Sequence, residues 1–93
     1  MADFECHITV SKEQHALAAV TANAHGFKMS NITDDPILGP GAKSYCTAHS
    51  QTFPGLYTRM KRLREALIAD NIPVLRCKIE AILFDEVYEV KTK

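Results

Sequence analysis

No apolar run in the 93 residues approaches the roughly 20 that a membrane-spanning helix needs. The first residues carry acids where a secretory signal carries lysines. A membrane anchor and a secreted mini-protein are therefore excluded as expectations, and the cytoplasm is the expected compartment. Net charge is lacking too, because eleven basic residues balance eleven acidic ones. Non-specific binding to nucleic acid is driven by surplus positive charge, so composition lends it no support. Cysteine is scarce, with three residues and no zinc-like spacing, which argues against a disulfide scaffold and for a reducing environment. Internal repeats and low-complexity stretches are absent. What remains is a globular balance of 46% hydrophobic and 24% charged residues, at a length that supports one core and not two. One domain over 1–93 is expected, frayed at 91–93.

Phe4-Glu5-Cys6-His7-Ile8-Thr9-Val10 alternates with period two, the pattern of a strand with one buried face. Phe4, Cys6, Ile8 and Val10 are expected inside. Ser11 stands three residues before Gln14, a capping-box spacing, and Gly26 follows His25 where a helix stops. A helix over 12–25 is predicted, with Leu17, Val20 and Ala24 as its inner stripe and Ala16 beside it. Phe27 to Thr33 reads as a second strand and Lys43 to Gln51 as a third, the latter sending Cys46 and Ala48 to one face and Tyr45, Thr47, His49 and Gln51 to the other. Pro54 opens a second helix with the apolar stripe Leu56, Met60, Leu63 and Leu67, and Pro73 after Asn71 closes it. Val74 to Leu83 alternates again, with Leu75, Cys77, Ile79 and Ala81 expected inside and Arg76, Lys78 and Glu80 outside. Val87, Tyr88 and Val90 either prolong that strand or add an edge strand.

The order β-α-β-β-α-β resembles the ferredoxin-like plait over nearly the whole chain. That resemblance implies an α+β sandwich: a four-stranded antiparallel sheet of order 4-1-3-2 with two helices on one face. It implies no function. It does leave one sheet face open, and the outward positions there gather Glu5, His7 and Thr9 with Tyr45, Thr47, His49 and Gln51 and with Arg76, Lys78 and Glu80. Opposed β-carbons on neighbouring strands lie about 5 Å apart, so imidazoles, hydroxyls and cations can share one patch.

A phosphate-bearing ligand suits such a patch. Arg76 can fork onto two oxygens, Lys78 brings a point charge, Thr9 and Thr47 bring hydroxyls, His7 and His49 bring donors, and Tyr45 offers a ring. The expected ligand-binding set is accordingly His7, Thr9, Tyr45, Thr47, His49, Arg76 and Lys78. A solvated sheet face and an interface with a second copy are the competing readings of the same residues. Reading RNA from the sheet is disfavoured, since outward positions lack paired aromatics.

His7-Ile8-Thr9-Val10 resembles the His-x-Thr-hydrophobic motif of the two-histidine phosphoesterase superfamily. That resemblance implies a metal-independent phosphodiesterase using His7 and His49 as acid and base. The match covers four residues. At the second site His49 is followed by Ser50-Gln51, and the hydroxyl two positions away precedes it as Thr47. Members of that superfamily are also about twice this length and built from two lobes.

Elsewhere the residues read as structure. Arg59, Lys61, Arg62 and Arg64 spread around a solvated helix face; Cys6, Cys46 and Cys77 read as core; His25 reads as a helix-end residue; Asp34-Asp35 before Pro36 reads as a turn. Gly39-Pro40-Gly41 reads as a bend in a 34–43 loop placed to act as a lid, with Ile37 and Leu38 at its tip. No cofactor and no metal site is expected. The expectation is a binding or sequestering protein for a nucleotide or cyclic nucleotide, working as a homo-oligomer, more a binder than an enzyme. A phosphodiesterase and a protein-protein interaction subunit are the alternatives.

Overall fold

The computed structural model describes residues 3–32, 43–83 and 86–90. Residues 34–42, where an acidic turn, a glycine-proline bend and a lid are expected from the sequence, and the 91–93 end lie outside the described residues. Strand β1 (Asp3–Ser11) leads through a single 3-10 turn at Lys12–Gln14 into helix α1 (His15–Ala24). Strands β2 (Lys28–Ile32) and β3 (Lys43–Ser50) follow, then helix α2 (Phe53–Ala69), strand β4 (Arg76–Leu83) and strand β5 (Glu86–Val90). Every strand pair is antiparallel and the sheet runs β2-β3-β1-β4-β5. Its first four strands have the predicted 4-1-3-2 order. The Val87-Tyr88-Val90 segment settles as a fifth strand at the edge, paired to β4. Among the described residues no helix is long and apolar enough to cross a membrane.

Both helices pack on one face of the sheet, where Cys6, Ile8, Val10, Cys46, Ala48 and Ile79 meet Ala18, Ala22, Leu56, Met60, Leu63 and Leu67 in one buried cluster. Burying each large side chain of this set stabilises the fold by about 1.5–3 kcal/mol. The α2 stripe is the predicted one, all four residues fully buried. The α1 stripe is not. Ala18 and Ala22 are the buried residues, while Leu17 is 63% and Val20 73% exposed, and Ala16 and Ala24 are exposed as well. Small side chains at i and i+4 let α1 lie close to the sheet and to α2, so size misleads about which face is inside. Leu17 and Val20 instead line a groove of about 350 Å³ with Thr21, Asp70 and Ile72.

The helix ends explain two otherwise isolated residues. His25 closes α1, Gly26 follows with φ of 77°, and the Phe27 amide donates to the Ala22 carbonyl at 2.9 Å while Gly26 donates to Asn23 at 3.2 Å. Asn71 plays the glycine's part after α2, with φ of 62°, the Ile72 amide donating to Leu67 at 2.9 Å and Asn71 to Ile68 at 3.0 Å. Both are Schellman endings, and the residue that follows each left-handed position, Phe27 or Ile72, is buried. The predicted cap at Ser11 does not form. Its side chain makes no capping hydrogen bond, because the 3-10 turn separates it from α1. Leu75 differs too: it precedes β4 and is 42% exposed, its amide donating to the Thr9 carbonyl at 2.8 Å.

The buried phase of α1 has a direct test in urea unfolding. Ala18→Leu forces an isobutyl group between helix and sheet and is expected to cost about 1–3 kcal/mol. Leu17→Ala, on the exposed side, is expected within about 0.5 kcal/mol of the parent. The reverse ranking would place Leu17 in the core.

Candidate functional site

The open face is organised by β1, which pairs with β3 on one edge and β4 on the other. Three rows of register cross it. Lys28, Thr47, His7 and Lys78 form one row across four strands; His49, Glu5 and Glu80 form the next; Ser30, Tyr45, Thr9 and Arg76 form the third. Six of the seven expected ligand residues therefore belong to the first and third rows, and His49 to the second.

The middle of the face is a charged network. Glu5 bridges the two histidines: the His7 Nε2 lies 2.5 Å from its Oε1, and the His49 Nε2 hydrogen-bonds its Oε2. Glu80 approaches the same His7 Nε2 at 3.3 Å and also takes the Lys78 Nζ at 3.2 Å. The other ring nitrogen, His7 Nδ1, lies 3.1 Å from Thr47 Oγ1, and the Tyr45 ring centroid is 5.5 Å from that of His7. Because carboxylate oxygens bring lone pairs, the His7 Nε2 facing two of them must carry a proton or face another cation. His7 is 13% exposed and His49 62%, so the pair is asymmetric in its access to solvent.

Thr9 departs from expectation. It shares the face by register yet is 2% exposed, in register between the long side chains of Tyr45 and Arg76, so its hydroxyl is not offered to a solute. Arg76 sits at the far row, away from His49. A cleft of about 210 Å³ opens instead at the β2 side, lined by Gly26, Lys28, Thr47, Ala48, His49 and Arg59. Lys28 and Arg59 were not among the expected site residues. Lys28 was legible as a cation of strand two, but only the β2–β3 register sets it beside Thr47. Arg59 belongs to the helix run that reads as solvated, yet its guanidinium donates to the Gly26 carbonyl at 3.2 Å and the His49 carbonyl at 3.4 Å and lies 5.5 Å from the Phe27 ring centroid. A Cβ at Gly26 would meet the Arg59 Nη2 at 3.1 Å, so that glycine answers both to its positive φ and to this close approach.

The remaining polar clusters hold the fold. Ser44 is fully buried and donates to Asn31 Oδ1 at 2.9 Å, so His15 Nδ1 at 2.8 Å is the donor to Ser44, a tie between α1, β2 and β3. His25 Nδ1 donates to the Thr21 carbonyl at 3.0 Å, and Thr21 donates to Asp70 at 2.6 Å, joining the ends of the two helices. Cys6 and Cys46 are buried and Cys77 half-buried, all as free thiols. Burial pushes the Cys6 thiol up to about 12, neighbouring Cys77 and Cys46 adding to the rise. Burial likewise pushes Cys46 up to about 11 and raises Cys77. Such thiols are poor nucleophiles. Compared with protein-family models the chain matches none, and no curated protein matches it.

The thiols set an alkaline limit on stability. An unfolded chain loses its thiol protons near 9.0 while the native state keeps those of Cys6 and Cys46 to about 12 and 11. The native state then binds more protons, so stability falls as pH rises above about 9. Urea midpoints measured from pH 8 to 10.5 are expected to fall more steeply for the parent than for a Cys6→Ala, Cys46→Ala double variant. Equal slopes would mean that the thiols ionise alike in both states.

Proposed function

We propose that this chain is a small-ligand-binding protein whose open sheet face takes an anionic, phosphate-bearing ligand, a nucleotide or cyclic nucleotide. The observation that carries the reading is the cleft at the β2–β3 edge, where Lys28, His49 and Arg59 stand around Thr47 with no acid in the lining. Hydroxyl and cationic donors without a carboxylate are what a phosphate needs. At about 210 Å³ the cleft is smaller than the roughly 300 Å³ at which small-molecule pockets begin, which suits a phosphate group with the remainder of the ligand lying on the face. The adjoining row offers His7 and Lys78, and Tyr45 beside His7 offers a ring for a base. Arg76 then meets only a ligand long enough to cross β1, and Thr9 contributes through its place in the sheet.

Three free cysteines accord with a reducing cytoplasm. Pairing of copies belongs to the reading, because a small domain with an open sheet face gains burial by dimerising. One observation also favours turnover: both imidazole Nε2 atoms meet a single carboxylate, that of Glu5, so an anion in its place would lie between an acid and a base.

A thermal-shift screen against mono-, di- and cyclic nucleotides tests this, with the ligand analysed afterwards by chromatography. A ligand at about 100 times its Kd is expected to stabilise the chain by roughly 2.7 kcal/mol, several degrees for a domain of this size. Lys28→Glu and His49→Ala are each expected to reduce that shift, while Arg76→Ala reduces it less. A ligand recovered intact supports binding or sequestration; conversion that His7→Ala and His49→Ala each abolish makes the face a phosphodiesterase. No shift with any nucleotide overturns the proposal and directs attention to a protein partner.

A further inference from the structure

Apart from the cationic cleft, the face has a centre that a phosphate alone does not explain. Glu5, His7 and Glu80 come from two adjacent strands and bring one ligand atom each to within 4.8 Å of the others. We infer that this triad is a binding site for a divalent first-row transition ion, zinc being the probe of choice. The inference stands on the triad alone and holds whether or not the cleft takes a nucleotide.

Four features carry it. First, the donor set is one imidazole nitrogen and two carboxylate oxygens, a mixture that suits zinc, manganese, cobalt or nickel, whereas calcium and magnesium take oxygen alone. Second, two ligands at about 2.1 Å from a tetrahedral ion lie about 3.4 Å apart. The His7 Nε2 to Glu80 Oε1 separation is already 3.3 Å, and Glu5 Oε1, at 2.5 Å, has to withdraw by roughly 1 Å. Third, His7 has the orientation of a ligating histidine. Its Nδ1 can donate to Thr47 Oγ1 at 3.1 Å, which leaves the Nε2 lone pair directed at the carboxylates. Without an ion the other tautomer, with its proton on Nε2, donates to the carboxylates, and the ion takes that proton's place. Fourth, an outer partner is in place on Glu5, whose second oxygen His49 hydrogen-bonds; the Lys78 Nζ, 3.2 Å from the ligating Glu80 Oε1, has to turn away as the ion enters.

The half-buried ligands lie on the open face of the sheet, so a fourth position points to solvent and stays available to water or to an anion. A divalent ion there balances the two carboxylates of the most acidic part of the face, beside the row that holds Lys28 and Thr47.

The test is calorimetric titration of the chelator-treated full chain with Zn²⁺ at pH 7.5, no nucleotide present, together with the visible spectrum of the Co²⁺ form. One ion per chain is expected, with Kd in the micromolar range or below and a rise in Tm. Glu80→Gln and His7→Asn are each expected to weaken binding at least about 10-fold, and Thr47→Val about 10-fold through the lost partner of Nδ1. Each variant's metal-free melting curve reports its fold, and His25→Asn, whose ring faces the Thr21 carbonyl, is expected to bind as the parent does. Absence of binding at tens of micromolar Zn²⁺ overturns the inference. So does binding that survives in folded Glu80→Gln and His7→Asn, since the ion then sits elsewhere.

Discussion

Everything on this molecule hangs on the central place of β1. It is hydrogen-bonded along both edges, to β3 and to β4, and each of its two faces does something specific. On one face Cys6, Ile8 and Val10 are fully buried beneath the helices. On the other, Glu5 and His7 stand between residues of two neighbouring strands. A strand has period two, so a one-residue slip of register would exchange the two sets and bury the acid and the imidazole. The core thus fixes the phase of the site: the hydrophobic side cannot move without moving Glu5 and His7.

The helical layer serves the site more indirectly. Its two Schellman endings place Phe27 and Ile72 in the core and turn the chain sharply, into β2 in one case and toward β4 in the other. Arg59 then links α2 to the carbonyls of Gly26 and His49, so the end of α1 and the end of β3 are held at one side of the cleft. Electrostatically the face is divided. Cations gather at the β2 edge, whereas Glu5 and Glu80 occupy the middle and are compensated by His7, His49 and Lys78. The proposed anion cleft and the inferred metal triad thus occupy neighbouring places on the face, and the two proposals are compatible.

Much of the fold was legible because the strongest signals are local. Period-two alternation in residues 4–10 and the Leu56, Met60, Leu63, Leu67 stripe identify a half-buried strand and an amphipathic helix without help from the rest of the chain. The α1 stripe misleads for an equally physical reason. Where two layers come close, alanine is the core residue, and a pattern weighted by side-chain size selects Leu17 and Val20, which the packing leaves outside. In the candidate site, Thr47, His7 and Lys78 follow from alternation plus the plait's strand order. Glu80 as a neighbour of His7, Lys28 as a neighbour of Thr47, and the burial of Thr9 follow only from register.

By itself, then, the sequence determined the four plait strands and two helices, their order, the chief core residues of β1, β3 and α2, and the outward side of β1, β3 and β4 with Thr9 as the exception, because all of these are decided by residues a few positions apart. Only the tertiary structure decided which outward residues touch. The carboxylates of Glu5 and Glu80 are 75 positions apart in the chain yet approach the same imidazole nitrogen. Arg59 became a clamp and not a solvated charge through contacts with residues 33 and 10 positions away. Ionic and hydrogen-bonding chemistry acts over a few ångströms, and it is the alignment of whole strands, set by the burial of their other face, that brings such groups within that range.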